Sequence, residues 1–339
     1  MLPKPLIYIY NIVSFFCSMG KSKLIGNKIN VPKSISEQSQ AVLKKLSIGT
    51  RNLISPSEDD EASWGKINNF IESGGNYMNE IFLKKYNPII KRYKLNGIPV
   101  IEVNLETRSD ENEVLVYVHG GGFTLCSAES TLHCAILLSY YTGKKVISIE
   151  YTLAPKSDWQ IVIGEVILVI DALLENYSMT NISFSGHSAG GSIVCGSVLK
   201  MLSLGYDKPK AILLLSPWLD LSKDYDTYEI LKHQDPILNN EDFLQNSALA
   251  YAGCNLKNPF VSPIYSKHEN GFPPVLIQGG VKEIFLSNFI RYYQVLDNLN
   301  IPVKLDLYEG MWHVFPTLQP ELPESIMAYK KMDNFLNNL

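Results

Sequence analysis

Beyond residue 95, six short runs, "VLVYV", "KVISIE", "NISFS", "AILLL", "VLIQ" and "VKLDLY", alternate with longer segments at 160–176, 190–203, 288–298 and 321–336. The runs are short and rich in β-branched and apolar residues, whereas the segments between them read as helices. Alternation of this kind predicts a mostly parallel sheet with helices on both faces, the α/β class. The runs are nearly continuous in apolar character, as burial of both faces of a strand requires.

Two stretches stand outside the alternation. Residues 1–95 hold a helical "SEQSQAVLKKL" and an acidic "SEDDE" loop, and residues 217–263 interrupt the series with a loop and a helix-like "NEDFLQNSALAYAG". The chain therefore divides into an N-terminal helical or cap region, 1–95, and an α/β domain, 96–339, with a cap insertion at about 217–263. The two extra pieces are expected to cover the sheet together.

Composition narrows the partners. The 339 residues, 46% hydrophobic and 19% charged, are enough for a sizeable core. A net charge of -4 without clustered basic residues excludes a general nucleic-acid-binding surface and points to a small-molecule partner. The five cysteines are scattered with no CxxC spacing, so neither a disulfide framework nor a zinc site is implied. The segment 6–19, "LIYIYNIVSFFCSM", is short of the ~20 apolar residues that span a bilayer. It reads as a packed helix, with a cleaved signal or peripheral membrane contact as alternatives, and Lys21, Lys23 and Lys28 behind it oppose export. The expected location is cytoplasmic, with membrane-associated and exported forms as the alternatives.

Chemistry enters with "SFSGHSAGG", a GxSxG sequence centred on Ser188. A strand run precedes it and a helical run follows. That is the setting in which Gly186 and Gly190 leave room for a sharp turn that lifts a serine hydroxyl clear at a helix N-terminus. The strand "VLVYV" ends in "HGGG", His119 to Gly122. A serine attacking a carbonyl builds negative charge on oxygen, and Gly121 and Gly122 can present bare amides to it, with the Ala189 N–H as a third donor. His119 and Gly120 then position that loop, and His119 is not the base.

The base comes from six histidines. His119 and His187 flank the motifs, and His133, His233 and His268 lie in a helix and loops without recognisable partners. His313 follows the strand "VKLDLY" in the loop "EGMWHVF", C-terminal to the serine, where a serine–acid–histidine order places a base. The acid is expected after the preceding strand, "PVLIQ", where the carboxylate in the turn "GGVKEIFLSN" is Glu283. Asp306 and Glu309 are the fallbacks.

With HGGG, GxSxG, an acid and a late histidine in this order, the chain resembles the hormone-sensitive-lipase family of α/β-hydrolases. It looks most like the acetyl esterases and the arylacetamide or steryl deacetylases. The resemblance covers residues 95–335 and includes "YTLAPK", "LLLSPWLDLS", "DPILNNEDF", "VSPI" and "GMWHVF". It implies Ser188 as nucleophile, Glu283 as acid, His313 as base, and Gly121, Gly122 and Ala189 as oxyanion donors. It also implies a capped apolar pocket for a small hydrophobic ester, and neither metal nor cofactor. His187 stands where the family usually has Asp, Thr152 and Lys156 replace its Arg and Glu, and Lys282 replaces an acidic residue. An amide or lactone hydrolase on the same residues, or a non-catalytic receptor of the same fold, is the alternative. Sequence leaves the oligomeric state open.

Overall fold

The computed structural model describes residues 29–46, 55–105, 110–238, 240–269 and 271–339. The apolar segment 6–19, and with it the choice between packed helix, signal and membrane contact, lies outside the described residues. No helix among the described residues is long and apolar enough to cross a membrane.

Among the described residues, eight strands form one sheet: β1 (Ile89–Leu95), β2 (Ile98–Asn104), β3 (Asp110–Val118), β4 (Lys144–Ile149), β5 (Ile182–His187), β6 (Ala211–Leu215), β7 (Val275–Gly280) and β8 (Val303–Tyr308). Their order is β1-β2-β4-β3-β5-β6-β7-β8. The pairs β1/β2 and β2/β4 are antiparallel, and every pair from β4 to β8 is parallel. Strands β3 to β8 are the six runs read from sequence. The leading hairpin is not among them, and β1 falls on the N-terminal side of residue 95, so the sheet begins inside the segment assigned to the N-terminal region. The hairpin was missed because β1, "IIKRYKL", is a half-exposed edge strand, with lysine and arginine where the buried strands carry valine and isoleucine. Asn96 and Gly97, at φ 45° and 86°, close it with the two-residue turn that such a pair favours.

Among the described residues, eight helices of nine residues or more accompany the sheet: α1 (Glu37–Lys45), α2 (Glu61–Tyr86), α3 (Leu132–Thr142), α4 (Trp159–Leu173), α5 (Ala189–Ser203), α6 (Glu241–Ala252), α7 (Leu286–Asn298) and α8 (Pro323–Asn337). Alternation along β3 shows how they divide. Val114, Val116 and Val118 join a core with residues of α4, α5 and α7 such as Val166, Ile193 and Phe289. Leu115 and Tyr117 join the other, with Met78 and Phe82 of α2, Leu132 of α3 and Met332 of α8. Side chains two apart share a face, so one strand feeds both cores.

Residues 29–46 are anchored at the carboxylate of Glu324. Glu324, in the first turn of α8, accepts the Ser36 N–H and the hydroxyls of Ser36 and Ser39 at 2.7, 2.9 and 2.7 Å. Around this anchor Ile35, Val42, Leu43 and Leu46 pack on Trp312, Phe315 and Leu322. Helix α2 docks on α3 so closely that a methyl group at Gly75 would lie 2.2 Å from the Ser130 carbonyl oxygen.

Glu150, at the end of β4, accepts the Ala128 N–H at 2.8 Å, and burial pushes its carboxyl from 4.5 up to about 7. The folded state thus favours the neutral acid. The contribution of this group to stability is complete below the unfolded value and is lost as pH rises through about 7. Glu150→Gln is neutral throughout. Thermal unfolding should therefore find the variant more stable than the parent chain near pH ~8, with the gap closing toward pH ~5. A gap that stays constant across that range would contradict the assignment.

Candidate active site

Strand β5 ends at His187, α5 begins at Ala189, and Ser188 between them is held at φ 53°, ψ -124°. A non-glycine residue at positive φ is strained, and here the strain is balanced by backbone bonds on both sides. The Ser188 N–H donates to the Leu215 carbonyl at 3.0 Å, and the Ser188 carbonyl accepts from Gly191 and Trp218 at 3.0 and 2.9 Å. The reversal also needs the start of α5 to touch the end of β3. A Cβ at Gly190 would lie 2.2 Å from the Val118 carbonyl oxygen.

The side chains of Ser188, His313 and Glu283 stand in one hydrogen-bonded file. His313 Nε2 lies 2.9 Å from Ser188 Oγ, and His313 Nδ1 lies 2.8 Å from Glu283 Oε2. A carboxylate at Nδ1 places the ring proton there, leaving the Nε2 lone pair facing the serine hydroxyl. Ser188, His313 and Glu283 are 8%, 4% and 0% exposed. They come from the C-terminal ends of β5, β8 and β7, the edge along which open α/β sheets bind ligands.

Two residues of this site escaped the sequence reading. Ser216, at φ 47° after β6, donates its hydroxyl to Glu283 Oε1 at 2.7 Å and accepts the Val314 N–H at 3.0 Å. Together with the Gly280 N–H at 2.5 Å it fixes the carboxylate and ties it to the histidine loop. Asp235 is fully buried, and burial pushes its carboxyl up to about 6. It accepts the Ile284 N–H at 3.1 Å through one oxygen and the N–H groups of Ile237 and Leu238, both at 2.9 Å, through the other. It thereby joins the Glu283 turn to the 217–263 insertion. Both residues lie in segments noted for resemblance, "LLLSPWLDLS" and "DPILNNEDF", but neither has a spacing that marks it as a partner of Glu283.

The fallback acids are engaged elsewhere. Asp306 accepts from Gln278 at 2.9 Å and from the Tyr308 hydroxyl at 2.5 Å, and it pairs with Lys331. Glu309 accepts from Ser34 at 2.6 Å.

The HGGG segment faces the serine. Gly121 and Gly122, at φ 113° and 62°, border the same cavity as Ser188 and His313. The Gly121 carbonyl is turned back to accept from Leu125 at 3.0 Å and Thr124 at 3.3 Å. Ala189 is the first residue of α5, where a backbone N–H has no intrahelical acceptor. His119 lies under the loop and is fully buried. Its ring stacks on Tyr151 at 4.2 Å, and its Nδ1–H donates to the Gly120 carbonyl at 2.7 Å. Burial pushes its pKa down to about 4, so it is neutral at physiological pH. The Tyr151 hydroxyl donates to the His119 carbonyl at 3.1 Å.

His187, the departure flagged in the sequence, is buried and neutral, since burial and the nearby His119 and His313 push its pKa well below 6.5. It donates no proton toward the serine. Its partners are the Tyr117 hydroxyl, 2.7 Å from Nδ1, and the Gly120 N–H, 3.1 Å from Nε2.

The cavity above Ser188 measures about 200 Å³. Ile71 and Gly75 of α2 border it on one side, and Leu238, Phe243 and Leu244 of the insertion border it on another. Among the described residues, no three His, Cys, Asp or Glu side chains come together as metal ligands.

Comparison with known proteins bears on the fold and the family. A family described as having the alpha/beta hydrolase fold matches residues 115–317. An esterase of Acinetobacter venetianus is 27% identical over 258 residues, covering 75% of this chain and 84% of that protein. An acetyl-hydrolase of Streptomyces hygroscopicus is 26% identical over 227 residues, covering 67% and 76%. The crystal structure of an esterase designated E25 superposes with a TM-score of 0.86 at 26% identity, covering 94% of this chain and 99% of that one. The family match spans more than half of the sequence and includes the HGGG segment, Ser188, Glu283 and His313; the chain belongs to the α/β-hydrolase fold family.

Proposed function

We propose that the chain is a serine carboxylic-ester hydrolase that cleaves small to medium acyl esters of hydrophobic alcohols through an acyl-enzyme. The observation that carries this reading is the buried file from Ser188 Oγ through His313 to Glu283, set beside two glycines at positive φ. His313 Nε2 takes the proton of Ser188 as its oxygen attacks the ester carbonyl. The Gly121, Gly122 and Ala189 amides receive the negative charge that develops on the carbonyl oxygen. The imidazolium, held and charge-compensated by Glu283, returns the proton to the leaving alcohol. A water activated by the same Nε2 then releases the acid, and no step calls for a metal or cofactor.

The names of the relatives, esterase and acetyl-hydrolase, support ester chemistry. The cavity supports a short acyl group. At about 200 Å³ it lies below the ~300–1,000 Å³ of sites for drug-sized ligands. Its walls come from both stretches outside the β/α alternation, α2 and the 217–263 insertion, and we read these as the cap over the pocket.

Ser188→Ala should lower the turnover of p-nitrophenyl butyrate by a factor on the order of 10⁴ or more while leaving the unfolding temperature close to that of the parent. Near-normal turnover would place the chemistry elsewhere. Glu283→Gln should cost a few orders of magnitude in kcat, and Asp306→Asn much less. Ser216→Ala removes a hydrogen bond to a carboxylate and should cost about tenfold to a hundredfold.

The pocket reading is checked by filling it. Ile71→Trp should reduce kcat/KM for hexanoyl and longer esters at least ~10-fold relative to acetyl esters, because an acyl pocket discriminates by steric exclusion. An unchanged chain-length preference in a folded variant would remove α2 from the acyl pocket.

A further inference from the structure

His187 sits one residue before the proposed nucleophile, yet its ring serves the opposite wall of the site. A backbone N–H can only donate, so the 3.1 Å contact from Gly120 requires an unprotonated Nε2. The ring proton then resides on Nδ1 and donates to the Tyr117 oxygen, 2.7 Å away. Tyr117 lies on β3, is 2% exposed, and cannot yield without opening the core between β3 and α3. The fit leaves no slack. A Cβ on Gly120 would stand 2.7 Å from His187 Cδ2 and 2.8 Å from Nε2.

The backbone on the other side of this contact matters because peptide planes are rigid. The plane joining His119 to Gly120 is held at both ends: its N–H by His187 and its carbonyl by the Tyr151 hydroxyl at 3.1 Å. The next plane joins Gly120 to Gly121. Its carbonyl accepts the His119 Nδ1–H at 2.7 Å, and its N–H is the first proposed oxyanion donor. In a trans peptide the carbonyl and N–H point in opposite directions, so the two clamped planes dictate where the Gly121 N–H is aimed. Glycines have no side chain to hold such a conformation.

We infer that His187 is a positioning residue of the oxyanion loop: seated on the Tyr117 hydroxyl, its neutral Nδ1–H imidazole accepts the Gly120 N–H and so sets the aim of the Gly121 amide at the reacting carbonyl oxygen. This rests on the hydrolase reading above. An aspartate at this position could accept the same N–H, but it would carry a charge. The imidazole supplies a neutral acceptor and a donor to Tyr117 at once. Loss of this clamp leaves the Ser188–His313–Glu283 file bonded as before and weakens a contact that matters only when charge builds on the oxygen.

The test compares His187→Leu, which has no acceptor, His187→Gln, whose carboxamide accepts and donates, and Tyr117→Phe, which removes the seat. Each is assayed for kcat and KM on p-nitrophenyl butyrate and for the affinity of an alkyl trifluoromethyl ketone, which forms a tetrahedral adduct with an active serine. His187→Leu should lose about 10- to 100-fold in kcat with KM within ~2-fold, since a misaimed donor costs up to what a deleted one does. Ketone affinity should fall by a similar factor. His187→Gln should recover most of the loss, and Tyr117→Phe should fall between. A kcat for folded His187→Leu within ~3-fold of the parent overturns the inference, as does a loss confined to KM or one that Gln fails to relieve. Should His187→Leu not fold, Tyr117→Phe decides: lowered kcat with unchanged KM supports the clamp, and parental kcat refutes it. A parent chain without esterase activity would instead sink the hydrolase reading.

Discussion

The contact between the start of α5 and the end of β3 is the constraint on which the rest of the site depends. At Gly190 the helix backbone meets the Val118 and His119 carbonyl region with no room for a methyl group. That approach forces the reversal at Ser188, whose positive φ is sustained by bonds to Leu215, Gly191 and Trp218. It also brings the HGGG segment, which continues from β3, against the same helix start. The proposed nucleophile and its proposed oxyanion donors therefore meet through a single close packing of backbone on backbone. Close packing of this kind resists change, because even one added methylene is felt in a well-packed interior.

Around that contact the site is nearly devoid of water-exposed polar groups, and its polarity is arranged with economy. Three of the histidines near Ser188 are buried, and burial keeps His119, His133 and His187 neutral. A neutral imidazole can accept on one nitrogen and donate on the other, so each can orient a neighbour without adding charge. The charge is concentrated instead on Glu283, which has a full set of partners in His313, Ser216 and the Gly280 N–H. A buried carboxylate is tolerable when it is bonded in this way. Asp235 stands behind it, joining its turn to the insertion that borders the cavity.

The β/α alternation was legible because strands buried on both faces must be apolar, and β5, β6 and β7 are buried along their whole length, whereas β8, at the edge of the sheet, alternates. The GxSxG and HGGG segments were legible because their glycines have a geometric reason that any such turn shares. The leading hairpin was not read, since β1 is an exposed edge whose lysines and arginine resemble a loop, although Asn96–Gly97 carried the signal of a tight turn. Helix α2 was also passed over. It is long and mixed in character, and Gly75 interrupts its helical pattern for a packing reason that appears only when Ser130 is placed beside it.

Sequence by itself determined the α/β class, the order of the chemically capable residues along the chain, and the serine poised between a strand and a helix. These follow from local rules: periodicity, turn chemistry and chain order. Only the tertiary structure decided which carboxylate faces His313. Glu283, Asp306 and Glu309 all precede it within 30 residues, but Gln278, Tyr308 and Lys331 claim one and Ser34 another. It likewise decided the parts of Ser216, Asp235 and His187, whose partners lie 67, 49 and 67 residues away. Hydrogen bonds over such separations leave no periodicity in the chain, because they arise where the ends of parallel strands converge, and that convergence exists only once the sheet has formed.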